Sequence, residues 1–302
     1  MPRRPTNPGV PGAKVVDEAT RLIAAAIDED LAGGDATSQA CLGDGAASAA
    51  IVARQAGVAA GLWLIELIYA QIDAAVEVRT EAGDGDAIAA GQLLAAVHGP
   101  ARAVLAGERT VLNFLQHLSG IATMTRAFVD TVKGTAAAIC DTRKTTPGWR
   151  RLEKYAVRCG GGTNHRMGLY DEVLIKDNHV ALAGCPIEQL VARARERFGA
   201  DMVVEIEVDT LDQLRSVLPL ATDMVLLDNM TLNQLRQAVA LRDQLGRNGR
   251  PLLEASGGVT LATVRGIAET GVDRISVGAL THSAPALDIA MDIEPQDAEA
   301  GR

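Results

Sequence analysis

Aromatic residues are scarce in this 302-residue chain: two Trp, three Tyr and three Phe, 3% of the whole. That leaves no platform of stacked rings for single-stranded nucleic acid. A cationic excess is missing too. The formal net charge of -9 gives no overall attraction to DNA or to an anionic membrane. No uncharged apolar run approaches the roughly 18 residues that a transmembrane helix needs, so no membrane span is expected. The four cysteines, Cys41, Cys140, Cys159 and Cys185, form no CxxC pair and match no zinc framework. They are expected to be buried, reduced thiols. The first residues carry prolines and arginines without an apolar core, so no secretory signal is expected and the cytoplasm is the expected compartment. Repeats and low-complexity stretches are absent as well.

What is present is aliphatic. Hydrophobic residues make up 48% and charged residues 22%, enough for a full core without disulfide or metal staples. Residues 1–14 read as a disordered tail. Apolar positions at helical spacing follow over 15–31. Strands are expected at 48–53, 75–80 and 92–97, with helices at 61–73, 100–118 and 120–133, the last two separated at Ser119-Gly120. This first part, 15–116, reads as an α+β sandwich domain, with 285–302 expected to pack back on it.

From residue 136 short apolar runs alternate with amphipathic segments. The runs are Ala136–Cys140, Val173–Ile175, Met202–Val208, Met224–Leu227, Leu252–Glu254 and Arg274–Val277. Helical segments near 186–198, 211–218, 231–245 and 260–269 separate the later ones. Strand–helix alternation with apolar strands means a parallel sheet. Residues 117–284 therefore read as an irregular, open parallel α/β barrel of about six to seven strands rather than a regular eight.

In parallel α/β folds ligands bind at the carboxyl ends of strands. Polar residues follow nearly every run: Asp141-Thr142-Arg143-Lys144, Lys176-Asp177-Asn178-His179, Asp228-Asn229, Ser256-Gly257-Gly258, and Ser276-Val277-Gly278. Glu205 and Glu207 lie two apart on one strand and so on one face. Charge gives a second signal. Residues 143–166 hold Arg143, Lys144, Arg150, Arg151, Lys154, Arg158 and Arg166 against the single acid Glu153. Arg150, Arg151, Lys154 and Arg158 are spaced like a helix face and read as solvated surface. Arg143, Lys144, Arg166 and Lys176 sit at or beside strand ends, where an unpaired cation needs an anionic partner. Guanidinium forks suit carboxylate and phosphate, so the ligand should be strongly anionic. The two serine–glycine turns on the last strands bring backbone amides toward an oxyanion. Glu207 and Asp228 could hold magnesium or ribose hydroxyls, or pair with the nearby cations. His165, beside Arg166 and after Gly160-Gly161-Gly162, is a further ligand candidate.

Several of these stretches together resemble the quinolinate phosphoribosyltransferase family: Asp141 through Gly148, Gly160-Gly161-Gly162 with Asn164-His165-Arg166, and Leu174 through His179. Upstream, Glu108-Arg109-Thr110, Asn113 through Gln116 and Leu118 through Thr123 also match. Downstream, Glu205 through Val208, Leu227-Asp228-Asn229, Glu254 through Gly258 and Ser276-Val277-Gly278 follow in the family's order. The resemblance runs from about residue 15 to 293. It implies a homodimer that joins quinolinate to 5-phosphoribosyl-1-pyrophosphate with magnesium, giving nicotinate mononucleotide, carbon dioxide and pyrophosphate. Carried over by motif, Arg143, His165, Arg166 and Lys176, with Thr142 beside them, would hold quinolinate, and Arg109 would reach in from the partner subunit. Lys144 would face quinolinate and pyrophosphate, Glu207 and Asp228 ribose and metal. Ser256, Gly257, Gly258, Ser276, Val277 and Gly278 would take the 5-phosphate. Trp149 and Ala32-Gly33-Gly34 depart from the family pattern without touching these positions.

Three rivals remain at this level. One is a barrel aldolase with Lys144 or Lys176 as Schiff base, which would want a lysine among apolar neighbours. Another is a related transferase with a different acceptor. The third is a non-catalytic anion-binding protein. Nucleic acid and membrane are not expected partners.

Overall fold

The computed structural model describes residues 11–220, 222–245 and 251–294. The chain opens with α1 (Ala13–Leu31), α2 (Ala36–Cys41), β1 (Ala46–Ala53), β2 (Gly57–Val58), α3 (Trp63–Ile72), β3 (Glu77–Thr80), β4 (Ala87–Ile88), β5 (Leu93–Pro100) and α4 (Ala101–Thr131). Next come β6 (Ala138–Cys140), α5 (Arg150–Cys159), β7 (Val173–Ile175), α6 (Asp177–Ala183), α7 (Ile187–Phe198), β8 (Val204–Val208) and α8 (Leu211–Val217). The last elements are β9 (Met224–Asp228), α9 (Leu232–Leu245), β10 (Leu252–Ser256), α10 (Leu261–Ala268), β11 (Arg274–Ser276), α11 (Ala279–His282) and β12 (Ile289–Glu294). None of the described helices is long and apolar enough to cross a membrane.

By its contacts the chain forms two compact units. Among the described residues, one comprises 127–144 and 162–282; the other takes in 11–126, 145–161 and 283–294. The expected boundary near 117 falls inside α4, which runs unbroken where two helices were expected. Gly120 does not end the helix. A Cβ there would run into the Pro285 carbonyl oxygen, so the glycine permits a close backbone approach instead.

In the second unit an antiparallel sheet has the order β12-β1-β5-β3, with β2 and β4 paired separately. The β1 pattern alternates buried and half-buried residues, as a sheet with one covered face requires. Within 285–302, β12 pairs with β1; residues 295–302 lie outside those described. The helix α1 begins at Ala13, inside the stretch read as a tail; the rest of that reading, residues 1–10, lies outside the described residues. Helix α5 is not a solvated surface. Glu153 and Lys154 are fully buried, and α5 packs on α1, with Glu18 accepting from the Arg151 amide at 2.9 Å. Glu153 takes His117 Nε2 at 2.9 Å and the Thr146 amide at 3.1 Å.

The first unit is the parallel sheet, six strands in the order β6-β11-β10-β9-β8-β7. No ladder joins β6 to β7, so the barrel is open; Thr163 adds a single parallel bridge to Cys140. The strands enter through a repeated clamp. Arg195 of α7 reaches Asp223 at 2.7 Å, and Asp223 accepts from the Val204 amide at 2.9 Å. Arg242 of α9 likewise reaches Asp273 at 2.5 Å, and Asp273 accepts from the Leu253 amide at 2.8 Å. Each clamp ties a helix to two neighbouring strands at their amino ends, which leaves the carboxyl ends for chemistry.

Candidate active site

The six strand ends surround one cavity of about 530 Å³. Strand neighbours lie about 4.8 Å apart, so a flat sheet would spread its ends too widely to share a single cavity; curling brings them together. The lining includes Thr142, Arg143 and Lys144 after β6, His165 and Arg166, Lys176 after β7, Glu207 of β8 and Asp228 of β9. Ser256, Gly257 and Gly258 close β10, and Ser276 and Gly278 close β11. A smaller cavity of about 380 Å³ lies on the antiparallel sheet near Ser48, Glu77, Arg79 and His98, without comparable convergence of cations.

One residue expected here does not line the cavity, and Arg109, expected to reach the partner subunit's site, stands apart from it. Val277 does not line the cavity: it is buried, and its amide donates to the Cys140 carbonyl at 2.9 Å, so the edge of β6 has already used it. Arg109 is exposed on α4, in the other unit. Lys176, expected to be unpaired, forms a short ion pair with Glu207. His282, Thr260 and Glu254 line the cavity and were missed. The helical turn after Gly278 was the signal for His282. Thr260 and Glu254 flank the Ser-Gly-Gly turn. The cysteines are all free, but Cys41 is exposed and only Cys140 and Cys159 are buried, so the expectation of burial holds for two of them.

Glycine shapes the rim at two places. Gly257 has φ +99°, and a Cβ there would meet Asn229 Oδ1; Asn229 itself has φ +52°, so the β9 and β10 turns interlock. At Gly278 a Cβ would come within 3.1 Å of both Lys144 Cδ and His282 Nε2, so its absence makes room for both side chains. Lys144 is also fixed through its backbone. Its amide donates to Thr142 Oγ1 at 3.0 Å, and its carbonyl accepts from Thr281 Oγ1 at 2.7 Å.

The segment carrying His165 and Arg166 has little regular structure and hangs on Asp141. Asp141, fully buried at the end of β6, accepts the His165 amide at 2.9 Å and Asn164 Nδ2 at 2.5 Å. His165 Nε2 lies 3.1 Å from Glu205 and 3.4 Å from Glu254. Its Nδ1 accepts the Arg166 amide at 2.7 Å and stands 3.6 Å from Glu172. Burial pulls the imidazole pKa down, but Glu205 and Glu254 outweigh it and raise it to about 10. The carboxylates thus favour a second proton, while the Arg166 amide occupies the place on Nδ1 where it would sit. Burial pushes Glu205 toward its protonated form; Glu254, equally buried, is held ionised by His165 and Arg274. Among the described residues, His165, Glu172 and Glu205 form the group of three with metal-ligand spacing, apart from the expected pair Glu207 and Asp228.

Comparison with known proteins gives consistent results. Residues 121–292 match the quinolinate phosphoribosyl transferase C-terminal domain family, and 35–119 the N-terminal domain family. A nicotinate-nucleotide pyrophosphorylase [carboxylating] of Mycobacterium leprae is 45% identical over 283 residues, 92% of this chain and 98% of that protein. Quinolinate phosphoribosyltransferase [decarboxylating] 1b of Nicotiana tabacum is 41% identical over 301 residues, 93% of this chain and 84% of that one. The solved structure of the Francisella tularensis nicotinate-nucleotide pyrophosphorylase aligns with TM-score 0.86 at 36% identity, covering 92% of this chain and 96% of that one.

Proposed function

The chain belongs to the quinolinate phosphoribosyltransferase family, and from that premise we propose that the cavity at the barrel's strand ends is its reaction site. The enzyme transfers phosphoribosyl from 5-phosphoribosyl-1-pyrophosphate to quinolinate, giving nicotinate mononucleotide, carbon dioxide and pyrophosphate in NAD biosynthesis. The observation that carries the site is the gathering of Arg143, Lys144, Arg166 and Lys176 with Glu207 and Asp228 around one cavity of a chain with net charge -9.

Quinolinate is a dianion and its co-substrate a polyanion, so bringing them together demands cations. Arg143, Arg166 and Lys176 take the quinolinate carboxylates, and Thr142 lies beside them. His165 backs Arg166 from below. The pyridine nitrogen offers its in-plane lone pair to the ribose anomeric carbon, and pyrophosphate departs with the bonding electrons. No base is needed to activate that nitrogen. Lys144, fixed between the Thr142 and Thr281 bonds, meets negative charge developing on the leaving group. The Ser256–Gly258 turn and Ser276–Gly278, with His282 beside it, receive the 5-phosphate. The ribosylated ring is cationic and draws in the electron pair of the adjacent carbon–carboxylate bond as carbon dioxide leaves; that carbon then takes a proton.

Glu207 and Asp228 fit magnesium. Glu207 Oε2 is engaged by Lys176 and Asp228 Oδ2 by Asn229 at 2.7 Å, which leaves one oxygen on each for a hard cation that completes its shell with substrate oxygens and water. When bound, the ion neutralises pyrophosphate charge. A homodimer, with exposed Arg109 of each subunit serving its partner's site, completes the reading. The four free cysteines support a reducing, cytoplasmic compartment.

The test is an assay with quinolinate, 5-phosphoribosyl-1-pyrophosphate and magnesium, following carbon dioxide and nicotinate mononucleotide. Lys144→Ala should lower kcat/KM by about 10²–10³-fold with the fold intact. Wild-type turnover in that variant would remove Lys144 from the chemistry.

A further inference from the structure

Below the rim the barrel interior holds ionisable groups where aliphatic side chains usually sit. Glu205, Glu254 and Arg274 each stand two residues before a cavity-lining residue of the same strand, namely Glu207, Ser256 and Ser276. They share that face, one layer deeper. Glu205 and Glu254 are wholly buried, and Arg274 Nε lies 2.8 Å from Glu254. Ionisable groups taken out of water are costly, and apolar replacements often serve stability as well, so packing alone does not account for three of them.

At the cavity these groups meet His165. Its Nε2 faces Glu205 at 3.1 Å and Glu254 at 3.4 Å, and its Nδ1 accepts the Arg166 amide at 2.7 Å. Both ring nitrogens are thus turned to protein groups, and what the ring fixes is the backbone of Arg166. That backbone needs fixing. Residues 164–172 belong to no helix or strand, and they follow a run of three glycines. Asp141 anchors the segment at His165, and Asp171 holds its far side through the Met167 amide at 2.5 Å and the Gly168 amide at 2.8 Å. The imidazole lies between those two anchors.

We infer that Glu205, Glu254 and Arg274 are positioning residues for the acceptor: they lock the His165 ring, and through its Nδ1 the Arg166 peptide, so that the Arg166 guanidinium meets quinolinate at a set place. His165 acts here as a wedge under Arg166 rather than as a carboxylate ligand. The inference rests on the reading that Arg166 takes a quinolinate carboxylate. It also predicts a selective defect. The acceptor's site depends on this floor, and the 5-phosphate turns of β10 and β11 do not depend on His165.

The test uses the full-length protein and Glu205→Gln, which is isosteric and replaces the carboxylate 3.1 Å from His165 Nε2. Calorimetric Kd values for quinolinate, and separately for 5-phosphoribosyl-1-pyrophosphate with magnesium, are compared with wild type. Quinolinate binding should weaken by about tenfold to a hundredfold, the worth of a charged hydrogen bond, with the co-substrate Kd unchanged. The His165 ring ¹⁵N resonances should shift in the same variant. Unchanged Kd values for both substrates in a folded variant would overturn the inference; so would equal weakening of both, the mark of a general structural role. Should Glu205→Gln fail to fold, Glu254→Gln, also isosteric, is judged by the quinolinate Kd and the His165 ring resonances, because Glu254 also stands beside Ser276 of the 5-phosphate turn; wild-type values of both would overturn the inference. Arg166→Ala separates the two levels. If it binds quinolinate as wild type does, the reading of Arg166 fails. If it loses quinolinate while the floor variants keep it, the positioning inference alone fails.

Discussion

The barrel carries its ions in two layers built on opposite terms. At the rim, the Lys176 side chain is 41% exposed and its partner Glu207 18%. At the floor, Glu205 and Glu254 have no exposure at all and face His165 and Arg274. Rim charges remain half in water, so a pair there is exchangeable and a substrate can take either member. Floor charges have given up water and are committed to one another. The difference shows how one interior can be both soft enough to bind polyanions and stiff enough to place them.

The comparison breaks most visibly at Arg274. Arg274→Met leaves Glu254 buried without its guanidinium, which should cost about 3–5 kcal/mol of stability. Urea denaturation measures it. A loss below about 1 kcal/mol, the ordinary worth of an exposed pair, would mean that the floor is no different from the rim.

A titration sharpens the same contrast. His165 has its pKa raised from 6.5 to about 10 by Glu205 and Glu254 against the pull of burial. Glu172, Asp141 and the Arg166 peptide are the other polar groups around it, with Arg274 behind Glu254. A pKa raised on folding means that the folded state holds the proton more tightly. Its stabilising contribution is then complete below pH 6.5 and lost as pH climbs through about 10. The urea midpoint should fall across that window, and His165→Asn should flatten the fall. A flat wild-type profile would show that the Arg166 amide keeps the second proton off Nδ1 at every pH.

The rim was far more legible in the sequence than the floor. Arg143, Lys144, Lys176, Asp228 and Ser256 announce themselves by following apolar runs, because a parallel strand ends where its polar residues begin. The floor gives no such sign. Glu205 and Glu207 could be assigned one face by their spacing, but which was rim and which floor depends on strand length and barrel curl. Arg274 opens the run read as the last strand, where nothing in the sequence marks it as interior; its register beside Glu254 brings it inside. Lys154 misled for a related reason. Its helix carries cations at surface spacing, and its burial depends on tertiary packing that spacing within the helix does not show. Gly120 likewise read as a breaker because the Pro285 backbone that demands it lies 165 residues on.

The smallest expected effect tests the rim from the side of stability. Lys176 and Glu207 make a short ion pair, which by geometry alone looks strong. Yet the lysine is largely solvated, and holding a long flexible side chain in one arrangement costs entropy that the contact must offset. Lys176→Met should therefore change unfolding free energy by about 1 kcal/mol or less, while quinolinate affinity drops sharply because the acceptor loses a cation. A double-mutant cycle with Glu207→Gln isolates the pair. A coupling near that of a buried pair, about 3 kcal/mol or more, would place Lys176 and Glu207 with the floor, and substrate would then have to break a structural bond to enter.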